Sequence, residues 1–302
     1  MCPLVHYSDK KISQIHRNNA TLLTYILICL FLITGCKSVT NVQGDLKSFG
    51  LQYQLKELNE PRPNRVHVLH VDLTNNKIKP VVIIAEDPDG EGPADAALTD
   101  PRKLACDPSV LAFININPWD SFPDVAGKKN HRWFEGQPVD ILGLVASNGQ
   151  IRSSALPNNA SLWFTGNGCL SLGEATENTP ITEGMAGFQQ IVKEGTISVP
   201  QGGAVHPRTA IGLDQRGTVM YLVIVDGRQA QYSEGMDLYE LASLMLELGC
   251  WNATNMDGGG SSIMGLAEPG GQLCIMNSPS GRGANGTPKI RPVPTILTIQ
   301  RK

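Results

Sequence analysis

The sequence predicts an α+β fold: a single domain of mainly antiparallel or mixed β-sheet with a few helices. Three observations carry this. Short apolar runs recur along the chain, and two of them fold back at an Asn-Gly pair. Glycine and proline are abundant, at 31 and 20 of 302 residues, which favours turns and short strands over a helical bundle. One stretch alone carries clear helical spacing, and strands in hairpin order with few helices belong to this class.

The elements follow in order. Lys10, Lys11 and Arg17 precede the apolar run Leu22 to Ile33, which is shorter than the roughly 20 residues a membrane span needs. "ITGC" follows, ending at Cys36. Basic region, apolar length and cysteine position together resemble a bacterial lipobox. Residues 1–35 are then a lipoprotein signal peptide, Cys36 carries the lipid, and residues 36–60 form a tether. Lys37 favours the outer membrane, since an acidic residue there would favour retention at the inner one. Residues 61–302 form the domain, and a plain signal peptide or anchor helix is the alternative for the leader.

Within the domain, "VHVLHVDL" (66–73) alternates and reads as a strand, as do the apolar runs "KPVVIIA" (79–85) and "VLAFINI" (110–116). "GLVASNGQI" reads as strand, Asn148-Gly149 turn, strand, and "ASLWFTGNGCLSL" repeats the form around Asn167-Gly168. "RTAIGLDQRGTVMYLVIVDGR" gives two more strands. In "DLYELASLMLELG", Leu238, Leu241, Met245 and Leu248 mark a helix. Asp237 with Glu240 resembles its capping box, and Gly249 marks its stop. "ATNM" and "RPVPTILTIQ" are the last strands.

Charge narrows the function. Lys and Arg number 25 against 28 Asp and Glu, a net charge of −3, without the basic excess of a nucleic-acid binder. Cys106, Cys169, Cys250 and Cys274 remain after processing; they make either two disulfides or buried thiols. No CxxC pair exists and no ligand spacing demands an ion, so neither metal nor cofactor is expected.

Four motifs bear chemistry. In "NMDGGGSS" a strand delivers Asp257 to a loop where Gly258, Gly259 and Gly260 leave the backbone bare. Their amides and the Ser261 and Ser262 hydroxyls suit an anion; a plain glycine-rich hairpin is the bland alternative. The motif lacks the lysine of a P-loop and the spacing of a GxSxG elbow. "HPRTAIG" offers His206 and Arg208, the latter suited to bidentate phosphate binding, or else a proline-set surface turn. "IVDGRQ" places Asp226 and Arg228 at a strand end, or an ordinary Asp-Gly turn. "FININPWD" brings Asn115 out of an apolar strand near Trp119, as a sugar face or a structural tryptophan.

Taken in order, "HPRTAIGLDQRG", "IVDGR", a helix and "NMDGGGSS" resemble the phosphodiester glycosidase family, the family of the lysosomal uncovering enzyme. The resemblance runs from about Val66 to Ile299. Carried onto this chain, it implies Asn115, His206, Arg208, Thr209, Asp226, Arg228, Asp257, Gly258 to Gly260, Ser261 and Arg291 as pocket residues. It departs after Asn115, where Ile116 and Asn117-Pro118 replace a small residue. The activity it implies is hydrolysis of the glycosidic bond of a sugar-1-phosphodiester, releasing sugar and phosphomonoester. Asp257 is the first choice for the catalytic carboxylate and Asp226 the second, with Arg208 stabilising the anion. The alternatives are a phosphodiesterase cutting P–O and a lipid-tethered glycan-binding protein without turnover. The expected partners are a sugar phosphodiester or glycan and the membrane, through the lipid on Cys36.

Overall fold

The computed structural model describes residues 46–157, 159–166, 168–173, 175, 179–268, 270–282 and 285–302. The signal segment 1–35, Cys36, the tether through residue 45 and the turn residue Asn167 lie outside the described residues.

The first strand, β1 (Leu51–Leu58), is antiparallel to β2 (Asn64–Asp72) from Leu51 opposite Val71 to Leu58 opposite Asn64. This corrects the expected tether, which ran to residue 60. β1 is polar in composition because it is an edge strand: Leu51 and Tyr53 are buried while Gln52 and Gln54 face out. The chain continues through β3 (Ile78–Ile84), β4 (Ala96–Ala97), the short helix α1 (Pro101–Leu104), β5 (Val110–Asn115), β6 (Trp119–Ser121) and β7 (Pro138–Ile141). β8 (Val145–Ser147) and β9 (Gln150–Ser153) form the Asn-Gly hairpin. Asn148 and Gly149 take φ of 51° and 80°, the left-handed pair that a type I′ turn requires.

β10 (Ala160–Phe164), β11 (Leu170–Gly173), β12 (Glu183–Gly187), β13 (Gln189–Lys193) and β14 (Thr196–Ile197) follow. Then come β15 (Arg208–Leu213), β16 (Val219–Val225), helix α2 (Leu238–Glu247), β17 (Asn252–Asn255), β18 (Met264–Ala267), β19 (Leu273–Ile275) and β20 (Thr295–Arg301). A seven-stranded sheet has the order β1-β2-β16-β15-β17-β13-β14. Two five-stranded sheets run β11-β10-β12-β8-β9 and β19-β18-β5-β20-β3, and β4-β7-β6 form a small sheet. The strand pairs are antiparallel, as the α+β class predicts.

Both faces of the seven-stranded sheet are covered, which is why β16 reads as a continuous apolar run. Met220, Leu222 and Ile224 point into the main core with Leu69, Ile114 and Leu297. Val223 and Val225 point the other way, into the layer beneath α2 with Leu241 and Met245. Each such side chain contributes about 1.5–3 kcal/mol on burial. The capping box of α2 is present in full: Asp237 accepts from the Glu240 N–H at 2.8 Å, and the Asp237 N–H donates to Glu240 Oε2 at 3.0 Å. Cys106 is an exposed free thiol and Cys250 a buried one, so the four cysteines do not make two disulfides. Burial pushes the Cys250 thiol up to about 12, which leaves it inert.

Candidate active site

The antiparallel register of β15, β16 and β17 brings three strand ends together at one end of the sheet. Arg208 opens β15 opposite Val225, and Asn255 closes β17 opposite Ala210. The loop after β16 carries Arg228 and the loop after β17 carries Asp257. With Arg291, ahead of β20, they line a cleft of about 230 Å³ together with Phe188, His206, Asn255 and Gly258 to Gly260. A larger hollow of about 710 Å³, beside Lys193 and Glu194, contains none of these residues.

The glycines are bare because other groups occupy the space a side chain would fill. A Cβ on Gly260 would collide with the guanidinium of Arg291, and one on Gly259 would press on that of Arg228 at 3.3 Å. Gly258 lies against the Pro207 carbonyl. Gly259 also takes φ of 62°, a conformation that costs a side-chain-bearing residue. The expected nest of free amides is only partly present. The Gly259 N–H donates to Pro207 O at 2.8 Å and the Ser261 N–H to Gly258 O at 3.2 Å. What the triplet chiefly supplies is room for two arginines.

Three guanidiniums therefore share the cleft, and among the described residues none of them forms an ion pair with a carboxylate. Arg208 donates to the carbonyls of Met236 at 2.8 Å and Ala204 at 2.7 Å. Arg228 donates to His206 Nδ1 at 3.3 Å, and Arg291 to Ser261 Oγ at 3.2 Å. Burial and the charge of Arg228 lower the pKa of both Arg208 and Arg291. His206 is lowered by burial and by Arg228 and Arg208, so its ring is neutral at neutral pH and accepts at Nδ1. Asp237 draws on Arg208 and Asp257 on Arg291 from beyond ion-pair distance, and three cations gathered without a direct carboxylate contact suit an anion.

Asp257 is the carboxyl of this cleft. Burial pushes it up to about 7, against the Ser261 hydroxyl, the positive field of Arg291 and the Gly258 N–H, which all favour the charged form. Its Oδ2 is buried without a partner among the described residues. Its backbone is clamped on both sides: the N–H donates to Ile116 O at 2.9 Å, and the carbonyl accepts from Asn115 Nδ2 at 2.6 Å.

Four expected pocket residues stand outside the cleft lining. Asn115 is 1% exposed, and its Oδ1 accepts from the Ile263 N–H and the Thr209 hydroxyl, both at 3.0 Å. Thr209 is fully buried between Asn115 and Ser262. Ser261 is also buried and links Arg291 to Asp257. Asp226, the second choice for the catalytic carboxylate, stands in a buried hydrogen-bond network. It is 1% exposed, and its carboxylate accepts from Asn277 Nδ2 at 3.1 Å and from the Ser278 N–H at 3.0 Å. His67 Nε2 lies 3.2 Å away, and its Nδ1 meets the Tyr53 hydroxyl at 2.8 Å. Such a saturated carboxylate orders the loop that carries Arg228. Trp119 packs edge-on to Trp133 with ring centres 5.9 Å apart, against the core around Ile263, which is the structural reading.

Sequence reasoning missed Phe188, Asn255, His67, Asn277 and Ser278. Asn255 had a signal, as the polar residue that closes a buried strand next to Asp257. The others had none of comparable strength.

Comparison with known proteins gives the family. The phosphodiester glycosidase family model matches residues 124–300, more than half of the chain. The chain belongs to the phosphodiester glycosidase family. The match spans Arg208, Arg228, Asp257 and Arg291, and so the arginine-lined cleft. Bovine N-acetylglucosamine-1-phosphodiester α-N-acetylglucosaminidase is 28% identical over 163 residues, 46% of this chain and 30% of that protein. The human enzyme is 27% identical over the same length, covering 46% and 31%. This chain thus spans about a third of the length of these relatives. The catalytic domain of the zebrafish enzyme superimposes with a TM-score of 0.60 over 83% of each chain at 20% identity. That likeness extends the family assignment to the fold.

Proposed function

We propose that this phosphodiester glycosidase hydrolyses the bond between the anomeric carbon and oxygen of a sugar-1-phosphodiester of the N-acetylglucosamine type. Free sugar and a phosphomonoester are the products. The observation that carries the reading is the meeting of three guanidiniums lacking carboxylate partners with one carboxyl poised near neutrality.

The chemistry follows from the charges. The bond breaks through an oxocarbenium-like state, and the diester, a monoanion, leaves as a monoester whose second ionisation lies near 6. Such a group departs as a dianion without a proton. What it needs is cation, and Arg208, Arg228 and Arg291 supply it from fixed positions in a partly buried cleft. The remaining proton belongs to the attacking water. Asp257, ionised above about 7, takes it as general base, with Oδ2 unengaged by the protein. Asn115 and Ile116 hold the backbone of that carboxyl in place.

The lipobox reading supports an outer-membrane tether at Cys36, which would direct the enzyme to phosphodiester-linked sugars of envelope or capsule polymers or of host glycans. The test is to incubate the full-length chain with an N-acetylglucosamine α-phosphodiester in water labelled with heavy oxygen. Equal amounts of sugar and phosphomonoester, with the label in the sugar, are expected. Label in the phosphate would mean P–O cleavage and overturn the reading. Saccharide binding without either product would leave a tethered glycan-binding protein.

A further inference from the structure

Phe188 stands where the chain leaves one sheet for another. β12 belongs to a five-stranded sheet and β13 to the seven-stranded one, and Phe188 is the single residue between them. Every residue from Glu183 to Gly187 is buried, yet Phe188 is 47% exposed. Its N–H donates to the Asn255 carbonyl at 2.9 Å, so the ring is carried at a fixed place beside Asn255. Asn255 shows the opposite anomaly. It is 4% exposed, and its Oδ1 is buried with no partner among the described residues. An aromatic left in solvent and a buried acceptor left unpaired each weigh against folding. Both line the cleft that holds the arginines and Asp257.

The two anomalies ask for one kind of ligand. A phosphate dianion has no apolar face to lay on an aromatic ring, so it leaves Phe188 uncovered. A pyranose has hydroxyl or amide N–H donors at its rim and an apolar C–H face suited to an aromatic ring. Resting on the function proposed above, we infer that Phe188 and Asn255 form the sugar subsite. The ring C–H face lies on Phe188, and one sugar O–H or N–H donates to Asn255 Oδ1. The arginines hold the phosphate, so specificity for the sugar and affinity for the anion reside in different residues of one cleft.

The experiment compares full-length wild type with Phe188→Ala, Phe188→Trp and Asn255→Leu. KM and kcat are measured for an N-acetylglucosamine α-phosphodiester, alongside inhibition by inorganic phosphate. Phe188→Ala should raise KM roughly tenfold or more, and Phe188→Trp, which keeps an aromatic face, should raise it less. Asn255→Leu should lower kcat/KM by a similar factor. Inhibition by phosphate should stay within about twofold in all three, a split that general loss of structure would not produce. An unchanged KM in Phe188→Ala, or an equal loss of phosphate inhibition, would overturn the subsite. If wild type turns over no sugar phosphodiester, the hydrolase reading fails and the subsite is decided separately. Saturation-transfer NMR with free N-acetylglucosamine must then show binding to wild type that Phe188→Ala loses. Equal signals, or none, would sink it.

Discussion

Asp257 carries a carboxyl that burial moves from 3.8 to about 7, and this has two measurable effects. As general base it works ionised, so kcat/KM should rise with pH through about 7 in a pH–rate profile. Asp257→Asn should lose that limb and at least roughly a hundredfold in kcat. A rate that falls through the same pH would assign Asp257 the acid role instead. The second effect is on stability. Between pH 3.8 and about 7 the unfolded chain has given up this proton while the folded chain keeps it, so the folded state binds more protons and stability falls as pH rises through that window. Above it the folded protein bears a buried charge in full. Asp257→Asn removes the penalty, so its melting temperature should exceed that of wild type at pH 8 and match it more closely at pH 4. Glycine 260 acts through shape. In Gly260→Ala the new methyl meets the flexible end of Arg291. Arg291 should be displaced with little loss of stability, and kcat/KM should drop roughly tenfold. A circular dichroism melt run beside the assay would separate the two.

At the scale of elements, α2 rests on its capping box. Asp237→Ala should cost about 1 kcal/mol, read as a lower urea midpoint with an unchanged slope. That helix was legible because cap, apolar stripe and terminating glycine all agree locally. The Asn148-Gly149 hairpin was legible for the same reason. β12, "EGMAG", was not: two glycines and no β-branched residue give it no strand preference, and it is a strand only because β10 and β8 pair with it. β1 was missed because its wet face supplies most of its composition. The site divides along the same line. The sequence reveals that Asp226, Asn115 and Asp257 stand at strand ends. It does not reveal which way each side chain turns, and tertiary packing sends Asp226 and Asn115 inward and Asp257 to the cleft. Phe188 was invisible because its role depends on a passage between two sheets.

At the scale of the whole molecule, the cleft is a place where the fold opposes itself. Arg208 and Arg291 both feel the positive field of Arg228, and an anion relieves all three. Inorganic phosphate or a phosphomonoester should therefore raise the melting temperature in a concentration-dependent way, and the gain should shrink in high salt. Arg291→Ala should blunt the gain. The N-terminal boundary has a consequence of the same scale. A chain beginning near residue 60 lacks β1 and with it Leu51 and Tyr53. It should melt well below one that begins near residue 40.

The collision written into Gly260 also bears on descent. A guanidinium stacked where a Cβ would sit makes positions 260 and 291 a single heritable unit. A lineage that abandons arginine at 291 frees position 260 to accept a side chain. A lineage that first gains a side chain at 260 displaces its own arginine. Among descendants of a common ancestor the two positions should change together or not at all, so a glycine-less triplet would mark a branch that has left this chemistry behind.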